Sequence, residues 1–169
     1  MMNAMELPAD APRGQLSRRD WLLGAAALCA SAASGAQIGH ASLPLAVSLQ
    51  EELAQALKKG QPLVVMVSLD GCPFCKVARQ NYLGPMHEQQ GLPVVQVDMR
   101  SSRALKNFRG ASASHDEMTR QWRIRIAPTV LFFGRDGVEV AERLVGGYIP
   151  DFYGAYLDDR LQQARASLR

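Results

Sequence analysis

The sequence predicts an α/β fold in which a central mixed sheet of about four strands is flanked by helices. Short apolar runs rich in branched residues, which are typical of buried strands, alternate with helix-like segments along the chain. A strand–helix–strand unit near the middle also implies a parallel pair with a right-handed crossover. The predicted element order is α-β-α-β-α-β-β-α, and no internal repeat is visible.

The composition is that of an ordinary globular protein. The chain has 169 residues, 47% of them hydrophobic and 21% charged, with a formal net charge of +3. These values exclude the collagen-like, coiled-coil and disordered classes. The positive charge is too small and too evenly spread to indicate a nucleic-acid partner. No apolar run suits a polytopic membrane protein.

Residues 1–41 are predicted to be an export signal, which leaves a domain at 42–169. No Asp, Glu, Lys or Arg occurs between Asp20 and Glu51. A positive region before this gap, a mildly apolar stretch within it and small residues near its end are typical of a secretory signal peptide.

Arg18-Arg19 resembles the twin-arginine (Tat) export signal of bacteria, although ordinary Sec signals also contain paired arginines. Cleavage after Ala36 and cleavage after Ala41 both fit the small residues there. An uncleaved membrane anchor is the alternative, because about 18 uncharged residues can just span a bilayer. We therefore expect a periplasmic protein.

The first helix is predicted over 49–59 and the first strand over 63–67. Ser48 and Glu51 have the spacing of a capping box at the start of the helix, and Gly60 ends it. The apolar run that follows is too short for a helix and rich in branched residues, so it predicts a buried central strand.

The second helix is predicted to open at Cys72-Pro73-Phe74-Cys75 and to continue through 76–82. Proline suits the first turn of a helix, where its missing N–H costs nothing. Gly84-Pro85 is expected to break or kink this helix. The apolar run over 92–99 predicts a second buried strand, parallel to the first.

Residues 100–114 show no periodic pattern, which predicts a solvated surface loop or a short helix. The segment from Arg100 to Arg109 is locally basic, and a docking surface for an acidic partner is the alternative interpretation. His115–Trp122 predicts a short helix whose first turn is acidic, the favoured end for such residues.

The last part of the chain predicts a strand pair and a helix. Thr129–Phe133 is the third strand, and Gly134–Gly137 has the chemistry of a hairpin turn. The returning strand has an open register and contains Val138, Val140 and Leu144. The last helix is predicted over 150–168. Four of its residues are expected to face the sheet: Phe152, Tyr156, Leu161 and Leu168.

Redox chemistry is predicted at Cys72 and Cys75, the two cysteines of the predicted mature domain. Between a buried strand and a helix, unpaired N–H groups and the helix dipole stabilise a thiolate and lower the pKa of the first cysteine. The second cysteine lies one turn later, close enough to form a disulfide. Attack by Cys72 gives a mixed disulfide that Cys75 resolves.

The chain resembles the thioredoxin superfamily in two segments. They are Cys72-Pro73-Phe74-Cys75 after a hydrophobic strand, and Ala127-Pro128-Thr129 before a later strand with a glycine-rich hairpin behind it. With Gly147-Tyr148 before the last helix, the pattern is most similar to thioredoxin-like proteins of the bacterial periplasm. The resemblance implies a thioredoxin-like fold and a cis Pro128 that faces the cysteines. It also implies that Ala127-Pro128 holds an extended substrate segment, with Pro73 and Phe74 as further contacts.

Two positions depart from the pattern of cytosolic thioredoxins. Those proteins carry Trp immediately before the first cysteine, where this chain has Gly71. They also bury an Asp beneath the resolving cysteine, and the matching residue here is Met66. Removal of a proton from Cys75 must therefore use another group or water.

The sequence thus predicts an exported thiol–disulfide oxidoreductase that acts on cysteine-containing exported proteins, as a reductase. We expect no bound cofactor and no resident metal, and a membrane electron donor or acceptor as the redox partner. The alternatives are an oxidase that donates its disulfide, a purely structural bridge, and a non-catalytic protein that binds copper. Copper would be held by the two thiolates and by Met99 or Met118.

The histidines and aromatic residues carry no predicted chemistry. His87 and His115 lie far from the cysteines in sequence and are expected at the surface. Trp122, Phe132 and Phe133 are expected in or near the core rather than at a cofactor site.

Overall fold

A four-stranded sheet with helices on both faces forms the centre of the computed structural model, which describes residues 42–147 and 150–169. In chain order the elements are α1 (Leu49–Lys58), β1 (Leu63–Ser68), α2 (Pro73–Val77), α3 (Gly84–Gln90), β2 (Val94–Asp98), β3 (Ala104–Lys106), β4 (Ser112–Ser114), α4 (His115–Gln121), β5 (Thr129–Phe133), β6 (Leu144–Val145) and α5 (Pro150–Ala166). The predicted export signal at 1–41 lies outside the described residues. No helix within them is long and apolar enough to cross a membrane.

The sheet has the strand order β2-β1-β5-β6. β1 and β2 are parallel, with Val64 opposite Val94, as the predicted strand–helix–strand unit requires. β5 is antiparallel to β1, and β6 is antiparallel to β5. The predicted mixed sheet of about four strands is confirmed. Its parallel pair brings the carboxyl ends of β1 and β2 side by side.

Side chains of the central strands alternate between two buried clusters, one on each face of the sheet. The first cluster lies against α2, α3 and α5, and it contains Val64, Met66, Cys75, Val130 and Phe132. The second lies against α1 and α4, and it contains Val65, Val67, Met118, Leu131 and Phe133. Trp122 packs against the second cluster, so the predicted placement of the three aromatic residues is confirmed. Burial of both faces explains why these strands form unbroken apolar runs in the sequence.

Helix α1 begins at its predicted cap, but a different carboxylate completes the cap. The Ser48 hydroxyl accepts a hydrogen bond from the Glu51 N–H at 3.3 Å. Glu52, not Glu51, reaches back and accepts from the N–H groups of Val47 and Ser48, at 2.9 and 3.3 Å. Burial raises the pKa of the Glu52 carboxyl, and these two N–H donors oppose the shift. The reciprocal role assigned to Glu51 is therefore wrong, because that side chain is exposed.

The interruption predicted at Gly84-Pro85 takes the form of a π-helical turn over Ala78–Leu83. The helix then continues as α3, with Pro85 in its first turn. Proline has no N–H and crowds the turn before it, and a wider turn accommodates both effects. The helix that starts after Cys72 therefore runs on to Gln90.

The basic segment after β2 forms a small hairpin rather than a loop or a helix. β3 and β4 are antiparallel, with Leu105 opposite Ala113. The Asn107 side-chain oxygen closes the turn by accepting from the N–H groups of Arg109 and Ala111. Leu105 is buried and anchors the hairpin to the second cluster. Strands of three residues are too short for an alternating pattern, which is why the prediction was wrong.

His115 is fully buried, so its predicted surface position is wrong. Its Nδ1 accepts the Asp98 N–H at 3.0 Å, which places the ring proton on Nε2, where it is donated to the Ala46 carbonyl at 2.9 Å. A neutral imidazole thus ties the end of β2 to the segment before α1. His87 is partly buried, with Nδ1 2.9 Å from the Leu92 carbonyl oxygen.

The β5–β6 connection contains the predicted turn, with positive φ at Asp136 and Gly137 as a two-residue hairpin turn requires. The returning segment pairs with β5 in two places rather than as one strand. Glu139 forms an isolated bridge to Phe133, and β6 itself contains only Leu144 and Val145. Val138 lies outside β6 and is exposed.

Helix α5 buries a different face from the one predicted at its start. Phe152 and Tyr156 are exposed, at 58% and 49%, whereas Tyr153 and Leu157 pack against the sheet. Leu161 and Leu168 are buried as expected. At about 100° per residue, Phe152 lies half a turn around the helix from Leu161, so the two cannot share a face.

Candidate active site at Cys72 and Cys75

The two cysteines form a disulfide at the point where the chain leaves β1 and enters α2. Their Cα atoms are 5.3 Å apart. Cys75 is buried, at 1% exposure, in the first core cluster, whereas Cys72 is only partly buried. A thiol or disulfide that arrives from solvent can therefore reach the sulfur of Cys72 but not that of Cys75.

Cys72 is the N-cap residue of α2. Its Sγ accepts a hydrogen bond from the Cys75 N–H at 3.1 Å. In the reduced protein the same donor and the helix dipole stabilise negative charge on Cys72. Lys76 follows in the same helix, but its side chain is exposed, so solvent weakens its influence.

Gly71, immediately before Cys72, has a backbone conformation that suits glycine. Its φ is +70°, a conformation that favours glycine, and its N–H bonds to the Asp70 side chain at 3.0 Å. A bulky residue is disfavoured at this turn by its backbone conformation. The chain therefore has no large side chain immediately before Cys72.

The loop before β5 lies against the disulfide. The Ala127–Pro128 peptide bond is cis, as the family resemblance implies. The Ala127 carbonyl oxygen is 3.7 Å from the Cys72 Sγ. The Pro128 carbonyl accepts the Gly146 N–H at 2.8 Å, which fixes the loop to the residue that follows the end of β6.

An apolar groove adjoins this loop. It has a volume of about 230 Å³ and is lined by Phe74, Ile126, Ala127, Gly146 and Gly147. Phe74 and Ile126 are exposed by 57% and 42%, which is unusual for side chains of this size. A neighbouring shallow pocket shares Phe74 and Gly147 and extends to Tyr82 and Tyr153. The structure thus brings together the predicted substrate contacts Phe74 and Ala127.

A second groove, which we call the polar groove, is lined by Cys72 itself. Its volume is about 1080 Å³, and its lining includes Asp70, Cys72, Lys76, Arg79, Asp98 and Arg100. The predicted substrate contact Pro73 lies here and not in the apolar groove. Sequence analysis missed Arg79, because nothing in the sequence shows that its side chain meets the ends of β1 and β2.

The residue at the position of the buried thioredoxin Asp is a methionine, Met66. Met66 is fully buried in the same cluster as Cys75. That cluster also buries the hydroxyl of Tyr153, which has no hydrogen-bond partner among the described residues. Burial, and to a smaller extent Tyr82, raises the pKa of Tyr153 to about 12. Tyr153 therefore stays protonated at neutral pH and is no substitute for a carboxylate base.

Of the two methionines considered as copper ligands, Met118 belongs to the second cluster, on the face of the sheet away from Cys75. Met99 lines the polar groove. Within residues 42–147 and 150–169, no group of three or more His, Cys, Asp or Glu residues could hold a metal ion.

Comparison with known proteins places this site in a family. Residues 49–161 match the family model described as a thioredoxin-like domain. The chain belongs to the thioredoxin-like domain family. The match includes both cysteines, the cis proline and all four strands of the central sheet.

Among individual proteins, the chain is similar to the thiol:disulfide interchange protein DsbD of Klebsiella pneumoniae, with 28% identity over 134 residues. That alignment covers 78% of this chain and 20% of DsbD, so the chain spans about a fifth of the length of this relative.

Solved structures similar to this thioredoxin-like chain include mitochondrial thioredoxin 3 from Saccharomyces cerevisiae in its oxidised form. It has 16% identity and a TM-score of 0.49, over 73% of this chain and 96% of that one. A thioredoxin from Thermus thermophilus has 22% identity and a TM-score of 0.47, over 72% and 87%. The periplasmic thioredoxin SoxS from Paracoccus pantotrophus has 21% identity and a TM-score of 0.41, over 62% and 99%.

Family and geometry together define the type of site. A thioredoxin-like domain carries a Cys-x-x-Cys disulfide whose first sulfur is accessible at a helix N-terminus and whose second sulfur is buried. This is the site of a thiol–disulfide oxidoreductase.

Proposed function

We propose that this chain is an exported reductase that transfers electrons from the Cys72/Cys75 dithiol to disulfides of other exported proteins. The proposal rests on one observation, the different positions of the two sulfur atoms. Cys72 is accessible, and its Sγ accepts a hydrogen bond from the Cys75 N–H, while Cys75 itself is buried. One sulfur is suited to attack and the other to resolution.

The reaction balances in two steps. The Cys72 thiolate attacks one sulfur of a substrate disulfide, which forms a mixed disulfide and expels the other substrate sulfur as a thiolate. The Cys75 thiolate then attacks the Cys72 Sγ, which closes the protein disulfide and releases the second substrate thiol. The protein loses two electrons and the substrate gains them. We assign the Cys75 proton to the departing substrate thiolate or to water, because Met66 offers no base.

Substrate binding is assigned to the loop at Ala127-Pro128 and to the apolar groove. The Ala127 N–H has no hydrogen-bond partner among the described residues, while its carbonyl lies beside the Cys72 Sγ. An extended peptide segment can pair with such a free backbone group, as an added strand does. Phe74 and Ile126 would then contact an apolar side chain of the same segment.

We infer the direction of electron flow from the groups that surround the Cys72 sulfur. An oxidising pair is one whose reduced form is strongly stabilised. Among the described residues, the Cys72 Sγ receives one N–H donor and no side-chain cation within hydrogen-bond distance. This modest stabilisation favours a reductase over the alternative, an oxidase that donates its disulfide.

The compartment and the redox partner complete the proposal. The charge pattern of residues 1–41 supports export to the periplasm, with Tat as the route. A reductase in an oxidising compartment has to be recharged. We therefore assign a membrane protein that carries electrons from the cytoplasmic side as its donor.

The test is the equilibrium reduction potential of the Cys72/Cys75 pair, measured by titration of the protein in thiol redox buffers. A reductase should give roughly −250 mV or lower. A value near about −120 mV would instead establish the oxidase. A pair that cannot be cycled would exclude both enzymes. If such a protein bound one Cu(I) ion, the copper-binding alternative would replace them.

A further inference from the structure

The polar groove is large enough to admit a small molecule. Its volume of about 1080 Å³ slightly exceeds the range that is usual for small-ligand pockets. The floor is formed where β1 and β2 end, and Ser68 is a small residue there. Its lining also includes Lys76 and Arg79, from the helical segment after Cys72, and residues 99–102, which follow β2. The groove opens at Cys72, so a molecule within it would lie beside the reactive sulfur.

Arg79 brings to this groove a positive charge that no described carboxylate contacts directly, although its partner Gln96 donates to Asp98 at 2.6 Å. Its Nε donates to the Gln96 side-chain oxygen at 2.8 Å and its NH2 group donates to the Ser68 hydroxyl at 3.0 Å. Both partners are neutral, and no described carboxylate lies within 4.0 Å of the guanidinium. Two of its five N–H groups are therefore held in place, and the remaining donors suit an anion.

The rim adds charges of both signs. Lys76 and Arg100 are exposed at the groove and bring its cations to three, while Asp70 and Asp98 supply two carboxylates. A ligand that has more carboxylates than ammonium groups, but at least one of each, matches this arrangement. An apolar peptide segment does not match it and has a separate groove with no lining residue in common.

We propose that the polar groove binds a small zwitterionic thiol or disulfide of the glutathione class, with a carboxylate on Arg79 and the sulfur at Cys72. This inference rests on the proposed function and adds a second substrate class at the same sulfur. The Cys72 thiolate attacks one sulfur of the small disulfide and releases one thiolate. Cys75 then attacks the Cys72 Sγ and releases the second, so two electrons pass to the small molecule.

The test compares three disulfides as oxidants of the reduced full-length protein, with free thiols counted by rapid alkylation and mass spectrometry. Glutathione disulfide carries carboxylates, hydroxyethyl disulfide is neutral, and cystamine is cationic. Glutathione disulfide should react fastest and with a rate that saturates, and cystamine slowest. A rate order that follows only the intrinsic reactivity of the disulfides, without saturation, would overturn the proposal.

Arg79→Gln should lower the ratio of the glutathione rate to the hydroxyethyl rate about tenfold, as expected for a lost charge-assisted hydrogen bond. Arg100→Gln, at the exposed rim, should lower it about threefold. Arg103→Gln is the matched control, because Arg103 is exposed in the same basic segment but does not line the groove. An equal effect at Arg103 would show long-range attraction without a site, and would overturn the proposal.

A ligand that binds but cannot react locates the site in the unmodified protein. This result does not depend on whether a variant folds. S-methylglutathione cannot exchange, and its titration into the oxidised protein should shift the NMR signals of Gln96 and Arg100 but not those of Phe74 or Ile126. Shifts confined to the apolar groove, or none at all, would exclude the polar groove. If the reduced protein reacted with none of the three disulfides, the proposed function would fail, and this titration would still decide the site.

Discussion

The two grooves near Cys72 differ in chemistry, although the proposals above assign substrates of the same sulfur to both. The apolar groove is small, at about 230 Å³, and presents Phe74 and Ile126 to solvent. The polar groove is larger, at about 1080 Å³, and is lined by side chains of both charges. The linings of the two grooves share no residue. If both proposals hold, one reactive sulfur selects two kinds of partner by separate surfaces.

The largest expected effects come from the cysteines, because both grooves depend on them. Cys72→Ser should abolish exchange with protein disulfides and with glutathione disulfide, since no thiolate remains at the accessible position. Cys75→Ser should keep the first attack and accumulate mixed disulfides with partners from either groove. Non-reducing gels and mass spectrometry after alkylation measure both results.

The two cysteine variants also test whether both grooves deliver their substrates to Cys72. If Cys75→Ser trapped protein partners but never glutathione, the polar groove would not deliver a ligand to this sulfur. If Cys72→Ser still exchanged, Cys75 would be reachable from solvent despite its burial.

A smaller effect is expected from a substitution in the apolar groove alone. Phe74→Ala should lower the rate with a disulfide peptide that has apolar flanking residues about fivefold, relative to the rate with glutathione disulfide. The reason is the loss of roughly 1 kcal/mol of aromatic contact. Stopped-flow oxidation of the reduced protein measures both rates.

Val138→Ala is the control for this prediction, because Val138 is an apolar residue of similar exposure that lines neither groove. It should leave the ratio of the two rates unchanged. Equal losses from both substitutions would mean that general surface hydrophobicity, and not the groove, selects the peptide.

The smallest expected effect concerns Tyr153, which lines the shallow pocket next to the apolar groove. Tyr153→Phe removes a buried hydroxyl that has no described partner, and should stabilise the protein by about 1 kcal/mol at pH 8. The pKa of Tyr153 is raised to about 12, so the folded state holds this proton more tightly than the unfolded state. The corresponding stability is complete below about pH 10 and is lost as the pH rises from 10 to 12, by about 2 to 3 kcal/mol.

Urea unfolding at pH 8 and pH 11 tests both statements, and Tyr156→Phe is the matched control, since Tyr156 is exposed on the same helix. Only Tyr153→Phe should reduce the alkaline loss of stability. If this substitution instead destabilised the protein at pH 8, the Tyr153 hydroxyl would have a hydrogen-bond partner in solution, and the premise of the prediction would be wrong.

Features that arise within a few residues of the chain were predictable. Pro73 and the spacing of the cysteines determine that Cys72 caps a helix, whatever the rest of the fold does. The apolar runs determine β1, β2 and β5 because a strand buried on both faces needs them. The catalytic pair and the sheet therefore followed from local sequence and from the family resemblance.

Features that need contacts between distant segments were not predictable. Arg79 meets Ser68 and Gln96 only because β1 and β2 pair in one particular register, and their apolar residues allow several. The partners of His115 are backbone groups, which no side-chain pattern reveals. The sequence-based interpretation therefore contained the sulfur chemistry and the apolar contact at Phe74, but not the polar groove.

The burial of Cys75 behind Cys72 also bears on oxidative damage. Hydrogen peroxide that reaches the reduced site meets only the Cys72 thiolate and converts it to a sulfenic acid. The Cys75 thiol, one turn along the helix, condenses with that sulfenic acid and expels water. The product is the same disulfide that thiol–disulfide exchange forms, so its reduction reverses the lesion before irreversible oxidation of the sulfur.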